Sequence, residues 1–177
     1  CARAVQFLRH NAKKYNLDKT RVASYGESAG ASASLWLATR DDLADPNSKD
    51  PVLRESSRLT AAGGSWVQAT FDVIQWPKIL GLPEDKTPYW GMVKSSKAQL
   101  GEKRFNELRK DMDMLGNMDR NDPPMHFSPG KEGQGVHSQR FVDVLEKRAK
   151  EAGANLIIKA GRESLMQFLT GKLNAKK

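Results

Sequence analysis

The sequence predicts an α/β fold in which a mostly parallel sheet is flanked by helices. Short apolar runs alternate with longer segments of helical periodicity, an order that is typical of parallel sheets. One apolar run leads into the motif G-x-S-x-G and then into small residues suited to a helix, so residues 21–31 predict a strand, a sharp turn and a helix. A chain of 177 residues, 38% of them apolar, can bury a core, and we expect one domain over residues 1–177.

Composition argues against several other classes of protein. No apolar run approaches the ~20 residues that cross a bilayer, so we expect no membrane span. The single cysteine cannot form an internal disulfide, and the three histidines lie far apart, so we expect no metal site. The formal net charge is +8, but basic and acidic residues are interleaved along the chain. That pattern is typical of solvated helix faces, and we expect no nucleic-acid partner.

The first predicted helix covers residues 3–15. Its apolar face consists of four residues at helical spacing, Val5, Leu8, Ala12 and Tyr15. His10 lies among the polar positions, where a surface histidine is expected. Because the chain begins within this helical pattern, we also expect further sequence upstream that belongs to the same fold.

Ser28 in the G-x-S-x-G motif is the strongest functional signal. A serine becomes a useful nucleophile when it is exposed at a helix start, near a base and near amide donors for an oxyanion. The turn places Ser28 in a strained conformation, which requires the flanking Gly26 and Gly30 to be almost free of side chain. With Glu27 these residues form the turn, and the N–H of Ala29 would face the oxyanion. The alternative is an ordinary strand-to-helix turn.

The middle of the chain predicts a loop, a strand and an insertion. Residues 40–51 are rich in Asp, Pro, Asn and Ser and predict a solvated loop, since the spacing lacks the features of a calcium loop. Residues 59–67 predict the next buried strand, whose glycines allow close backbone approach. Residues 69–121 then lack strand periodicity and predict an insertion that resembles a lid.

Aromatic side chains in and beside this insertion are candidates for a substrate pocket. The candidates are Trp66, just before the insertion, and Trp76, Trp90, Met92 and Phe105 within it. The alternative is that the aromatic residues of the insertion pack a small core of their own.

The last part of the chain predicts strand, loop, helix, strand and helix. His126 falls within the strand predicted at residues 122–130, where a core histidine is the default. Residues 131–138 form a flexible loop at the carboxyl end of that strand, where sites in open parallel sheets gather. A helix closed by Gly153, a strand at residues 155–160 and a final helix complete the pattern.

The hexapeptide Gly26-Glu27-Ser28-Ala29-Gly30-Ala31 is similar to the elbow of type-B carboxylesterases. Residues 34–42, 122–124 and 136–138 more closely resemble bacterial esterase/lipase-like α/β-hydrolases grouped near the feruloyl- and acetyl-esterases. The resemblance spans most of the chain and is strongest at the elbow. It implies the C-terminal part of an α/β-hydrolase, with the N-terminal part of the sheet missing. It also implies ester hydrolysis by a Ser, acid, His triad through an acyl-enzyme, without a cofactor.

Carried over from the family, Ser28 is the nucleophile and Ala29 one oxyanion donor. The acid is expected after the strand that ends near residue 130, and the nearest carboxylate there is Glu132. Asp72, beyond the preceding strand, is the alternative.

The histidine departs from the usual pattern of the superfamily, in which it follows the last strand. Residues 159–163 contain no histidine, so His137 is assigned as the base because it lies on a loop at the predicted end of the sheet. The alternative is that His137 caps the helix that follows. A glycine-rich loop that would supply a second oxyanion donor is also absent from this sequence.

The leading hypothesis is therefore a serine esterase acting on small-molecule esters of small or medium acyl chains. A second hypothesis is a hydrolase-like binding or scaffold domain without catalysis, suggested by the missing histidine after the last strand. An acyltransferase or peptidase of the same fold is a third. Compartment and oligomeric state do not follow from the sequence.

Overall fold

The computed structural model describes residues 1–86, 89–133 and 135–175 and contains one four-stranded sheet. All three neighbouring pairs are parallel, and the strands lie side by side in the order of the chain. The strands are β1 (Ala23–Glu27), β2 (Ala61–Ser65), β3 (Met125–Phe127) and β4 (Leu156–Ile158). The predicted α/β class, a parallel sheet flanked by helices, is confirmed.

Helices connect and follow the strands, as parallel connections require. They are α1 (Ala2–His10), α2 (Ala12–Tyr15), α3 (Ala29–Thr39), α4 (Trp76–Leu80), α5 (Trp90–Met112), α6 (Met114–Asn117), α7 (Gln139–Ala152) and α8 (Arg162–Asn174), with short 3₁₀ helices at Val73–Gln75 and Glu84–Lys86. None of the helices in the described residues is both long and apolar enough to cross a membrane.

The glycines of β2 let the elbow and α8 approach the sheet closely. A Cβ at Gly64 would overlap the carbonyl oxygen of Gly26 and the side chain of Ala31. A Cβ at Gly63 would overlap the carbonyl oxygen of His126 and the side chain of Leu165 on α8. The predicted close approach at these glycines is confirmed. It brings the turn after β1 down onto the end of β2.

The helix predicted at residues 3–15 is divided at Asn11, and its buried face differs from the prediction. Val5 and Ala12 are buried as expected, whereas Leu8 and Tyr15 are 40% and 43% exposed. Gln6 and Arg9 are buried instead, because their side chains donate to backbone carbonyls of the segment between α3 and β2. His10 is exposed, as predicted.

The segment 69–121 contains helices α4 to α6, and its aromatic residues have different surroundings. Phe105 is buried outside the main core, beside an apolar cavity that Phe71, Met92 and Val93 also line. Trp76 is buried in the main core, where its ring packs edge-on against Phe141 of α7 at 5.1 Å between centroids. Its indole N–H donates to the carbonyl of Thr70 at 2.9 Å. The limits of the insertion and its role as a lid stay predictions.

Candidate active site

Ser28 occupies the turn between β1 and α3. Its backbone has φ 52° and ψ −121°, a conformation that residues with a side chain rarely adopt. The turn is held on one side by the N–H of Ser28, which donates to the carbonyl of Ser65 at 2.9 Å. The strained nucleophile turn predicted from G-x-S-x-G is therefore present in the backbone.

The two glycines of the motif have different surroundings. A Cβ at Gly26 would lie 2.6 Å from the carbonyl carbon of Gly30, which is closer than real Cβ atoms approach. A Cβ at Gly30 would meet nothing within 4 Å in the described residues. The predicted requirement for a residue without a Cβ is therefore seen at Gly26 and is not seen at Gly30.

His137 lies in hydrogen-bond contact with Ser28. The Ser28 Oγ is 2.8 Å from His137 Nε2, although 109 residues separate the two in the chain. When Nε2 carries no proton, the hydroxyl donates to the ring, which is the arrangement that a nucleophile and its general base need.

The imidazole of His137 lies on the loop before α7. His137 does not cap this helix. Ser138, not His137, is the N-cap of α7, and its hydroxyl accepts from the N–H of Arg140 at 3.2 Å. The alternative reading of His137 as the cap is wrong. Backbone bonds from Lys131 to His137 and from Gln139 to Lys131, both 2.7 Å, hold the loop at its base.

Trp66 packs beside the imidazole. It follows β2 directly, has a positive φ of 58°, and its ring centroid lies 5.6 Å from that of His137. The Lys131 Nζ lies 4.8 Å from the centre of the same indole. Of the three tryptophans proposed for a substrate pocket, Trp66 is the one found beside the Ser28–His137 pair.

The other two tryptophans have different partners. Trp76 is a core residue, as its burial shows. Trp90 is 38% exposed, has Lys94 over its ring, and lines a surface cleft with residues of α4 and α5.

The predicted acids do not contact the imidazole. Glu132 is exposed and forms no hydrogen bond to His137 in the described part of the chain. Asp72 is buried at the start of the 3₁₀ helix Val73–Gln75, where its carboxylate pairs with Arg109 at 3.0 Å and accepts from the N–H of Ile74. The geometry is therefore that of a Ser–His pair, with no carboxylate on the ring among the described residues.

Gln68 is a contact that the sequence did not indicate. Its side chain is buried and donates to the carbonyl of Val136, the residue before His137, at 2.9 Å. Its amide oxygen accepts from the hydroxyl of Ser32 on α3 at 2.7 Å. A single glutamine in a region without periodicity carries no local pattern that would reveal such a link.

Ala29 is the first residue of α3, so its N–H has no acceptor within the helix. The residue is exposed, and the positive end of the helix dipole lies at the same place. These features fit an oxyanion donor. No group of three metal-binding side chains occurs in the described residues.

His126 and Asp122 are buried ionisable groups outside this pair. His126 of β3 bonds Ser164 Oγ through Nε2 at 3.1 Å, and burial lowers the pKa of its ring. Its place in a buried strand confirms the predicted core histidine. Burial also raises the pKa of Asp122 to about 6.

Comparison with known proteins places the chain in a family. The model of the BD-FAE family matches residues 1–147 of the 177. No curated protein sequence matched.

Several solved structures share the fold. An acetyl ester-xyloside bifunctional hydrolase from Caldicellulosiruptor lactoaceticus is 20% identical with a TM-score of 0.64 over 97% of this chain and 62% of its own. The thermophilic esterase Est2 of Thermogutta terrifontis with propionate bound is 18% identical, with a TM-score of 0.64 over 99% and 66%. The same esterase phosphonylated by sarin is 17% identical, with a TM-score of 0.60 over 89% and 51%.

The chain thus spans 62% of the first of these enzymes and 66% and 51% of the other two structures. Identities of this order establish a shared fold. Because the family model covers most of the chain, the chain belongs to the BD-FAE family.

Proposed function

We propose that the protein is a serine esterase that cleaves carboxylic esters of small or medium acyl chains through an acyl-enzyme. The observation that carries this proposal is the 2.8 Å contact between Ser28 Oγ, on its strained turn, and His137 Nε2. A hydroxyl held by an imidazole at a helix start is the arrangement that ester cleavage requires.

In the proposed reaction Ser28 Oγ attacks the ester carbonyl carbon while His137 Nε2 takes the hydroxyl proton. The carbonyl oxygen becomes an oxyanion beside the N–H of Ala29 and the start of α3. As the tetrahedral intermediate collapses, the bond to the alcohol oxygen breaks and His137 gives its proton to the departing alcohol. Water then attacks the acyl-serine with His137 again acting as base, releasing the carboxylic acid and restoring Ser28.

Neighbouring structures support the choice of substrate and nucleophile. The Thermogutta terrifontis esterase holds propionate in one structure and is phosphonylated by sarin in another. A three-carbon acid is the product that a small acyl ester would leave, and an organophosphorus agent reacts with an activated nucleophile. By analogy, we infer that this chain accepts acyl groups of similar size at Ser28.

A fluorophosphonate probe tests the proposal directly on the full-length protein. We expect one adduct, located on Ser28 by peptide mass spectrometry, and hydrolysis of p-nitrophenyl acetate. Ser28→Ala and His137→Ala should each lower kcat by about a thousandfold or more, since members of such a pair act as a unit. Well-folded protein without an adduct on Ser28 would refute the proposal.

The resemblance implies Glu132 as the acid of the triad. Because Glu132 forms no hydrogen bond to the imidazole of His137, we predict that it contributes little to catalysis. Glu132→Gln should change kcat by less than about tenfold, whereas removing a hydrogen-bonded triad acid costs about 10⁴-fold. The measurement is kcat for p-nitrophenyl acetate in both proteins. A loss near 10⁴-fold would show that Glu132 does orient the imidazole during turnover.

A binding or scaffold domain without catalysis is the second candidate function. Two observations favour it, namely the absence of a histidine at residues 159–161 after β4 and the absence of a carboxylate on His137 among the described residues. Ester hydrolysis that disappears in both the Ser28 and the His137 variants would exclude this candidate.

A further inference from the structure

Gln68 connects the elements that carry the nucleophile and the base. It follows β2 by three residues, and only 5% of its surface is exposed. Its amide oxygen accepts from Ser32 Oγ at 2.7 Å, and its backbone N–H donates back to the same oxygen at 2.9 Å. Two hydrogen bonds thus fix Gln68 to α3, one turn after Ser28.

The amide nitrogen of Gln68 reaches the other side of the site. It donates to the carbonyl of Val136 at 2.9 Å and to the carbonyl of Trp66 at 3.2 Å. Val136 directly precedes His137, and Trp66 is the positive-φ residue whose ring packs against the imidazole. One side chain therefore holds both the backbone and the aromatic neighbour of His137.

The hydrogen bonds of Gln68 matter because, in the described part of the chain, His137 lacks the carboxylate partner that usually holds a catalytic histidine in place. In serine hydrolases a carboxylate ordinarily orients the histidine through its second nitrogen. Among the described residues His137 has no such partner, so its position depends on the loop and on Trp66. Both hydrogens of the Gln68 amide and its oxygen are used in this arrangement, and a buried amide with all its bonds made has one preferred orientation.

We propose that Gln68 is a positioning residue that sets the distance between Ser28 Oγ and His137 Nε2 by joining α3 to the loop before α7. The expected effect on kcat rests on the proposed esterase function. The expected effect on the distance between Ser28 and His137 rests on geometry alone. Gln68 does not touch the reacting atoms, and it acts through Val136 and Trp66.

Gln68→Met is the primary test, because methionine has a similar length but cannot donate or accept these bonds. In the full-length protein we expect kcat for p-nitrophenyl acetate to fall by about tenfold to a hundredfold with KM within about twofold, as a misplaced catalytic group would produce. The rate of fluorophosphonate labelling at Ser28 should fall in parallel.

Gln6→Met is the matched control. Gln6 is also a buried glutamine, 2% exposed, whose amide nitrogen donates to three backbone carbonyls, those of Leu43, Leu53 and Glu55. We expect a comparable fall in melting temperature in both variants, and an unchanged kcat in Gln6→Met only. The proposal fails if kcat of Gln68→Met stays within about twofold of wild type, or if Gln6→Met loses as much activity.

Ser32→Ala is the second test of the positioning role, to be used if Gln68→Met does not fold. It removes both bonds between α3 and Gln68, together with the longer bond of 3.3 Å from the same hydroxyl to the carbonyl of Ser28, and it places alanine, a good helix former, in the helix. A fall in kcat of about threefold or more is expected, and an unchanged kcat would overturn the proposal.

Crystal structures separate this proposal from the esterase function. In Gln68→Met, or in Ser32→Ala as the second variant, the separation of Ser28 Oγ and His137 Nε2 should exceed about 3.5 Å, outside hydrogen-bond range. It should stay near 2.8 Å in Gln6→Met and wild type. Ester hydrolysis could be absent while this distance responds as expected, which would refute the function alone. An unchanged distance would refute the positioning role.

Discussion

At the scale of single residues, a methyl group added at Gly26 would lie 2.6–2.9 Å from three backbone atoms of Gly30. All three are backbone atoms, so no flexible side chain can move aside to relieve the contact. We expect Gly26→Ala to lower the rate of fluorophosphonate labelling by about tenfold or more, since small displacements of reacting groups are costly, and to lower the melting temperature.

Gly30→Ala is the counterpart, because a Cβ there meets nothing in the described residues. Alanine in the first turn of α3 should raise the free energy of unfolding by up to about 1 kcal/mol and leave labelling within about twofold. Urea unfolding and labelling rates measure both effects. Equal losses in the two variants would contradict this account of the elbow.

The residues of the site differed in how far the sequence could predict them. Ser28 and the small residues around it belong to a local motif, so its turn followed from eleven consecutive residues. The assignment of His137 depends on its loop at the end of the sheet and on the resemblance to bacterial esterases, since residues 159–163 hold no histidine. The contact of Gln68 with Val136 spans 68 residues, and the failure of Glu132 to bond the ring depends on loop geometry. The local sequence contains no pattern that predicts either the Gln68 contact or the position of Glu132.

At the scale of the elements, the strands and the helices after them were predictable because their apolar periodicity is local. The buried face of α1 was not, because Arg9 is buried by acceptors far away in the chain. Its guanidinium donates to the carbonyls of Lys19, Ser56 and Arg58, and burial lowers its pKa. Periodicity counts apolar residues and therefore misses a buried cation that is satisfied by backbone oxygen.

We expect Arg9→Met to lower the free energy of unfolding by about 2–4 kcal/mol, because it leaves three carbonyls without their charged donor. Arg3→Met, on the same helix, removes an exposed ion pair with Asp50 and should cost less than about 1 kcal/mol. Urea denaturation of both variants checks the difference. Similar costs would show that the Arg9 bonds contribute little net stability.

At the scale of the whole molecule, stability should depend on the protonation of Asp122. Burial raises its pKa from 3.8 to about 6, so the folded state binds this proton more tightly than the unfolded chain. The resulting stabilisation is complete below about pH 4 and is lost as the pH rises through 6. It amounts to about 1 kcal/mol between pH 5 and 7.

Asp122→Asn should remove this component of the pH dependence when the free energy of unfolding is measured at pH 5 and pH 7. Asp18→Asn is the control. Hydrogen bonds from Thr20 and Arg21 lower the pKa of Asp18 to about 2, so its contribution is lost only in stronger acid. The slope between pH 5 and 7 should therefore match wild type in Asp18→Asn, and an unaltered slope in Asp122→Asn would disprove the assignment.

His137 lies between β3 and α7, so the loop after β4 holds neither member of the Ser28–His137 contact. Ser28 follows β1 and His137 follows β3, so β4 and α8 contribute no side chain to the pair. The turn between them, where Gly161 has φ 102° and a Cβ would meet nothing within 4 Å, is open to insertion. A foreign peptide spliced in at this turn should leave probe labelling intact, which makes it a natural attachment point for a fluorophore or tether.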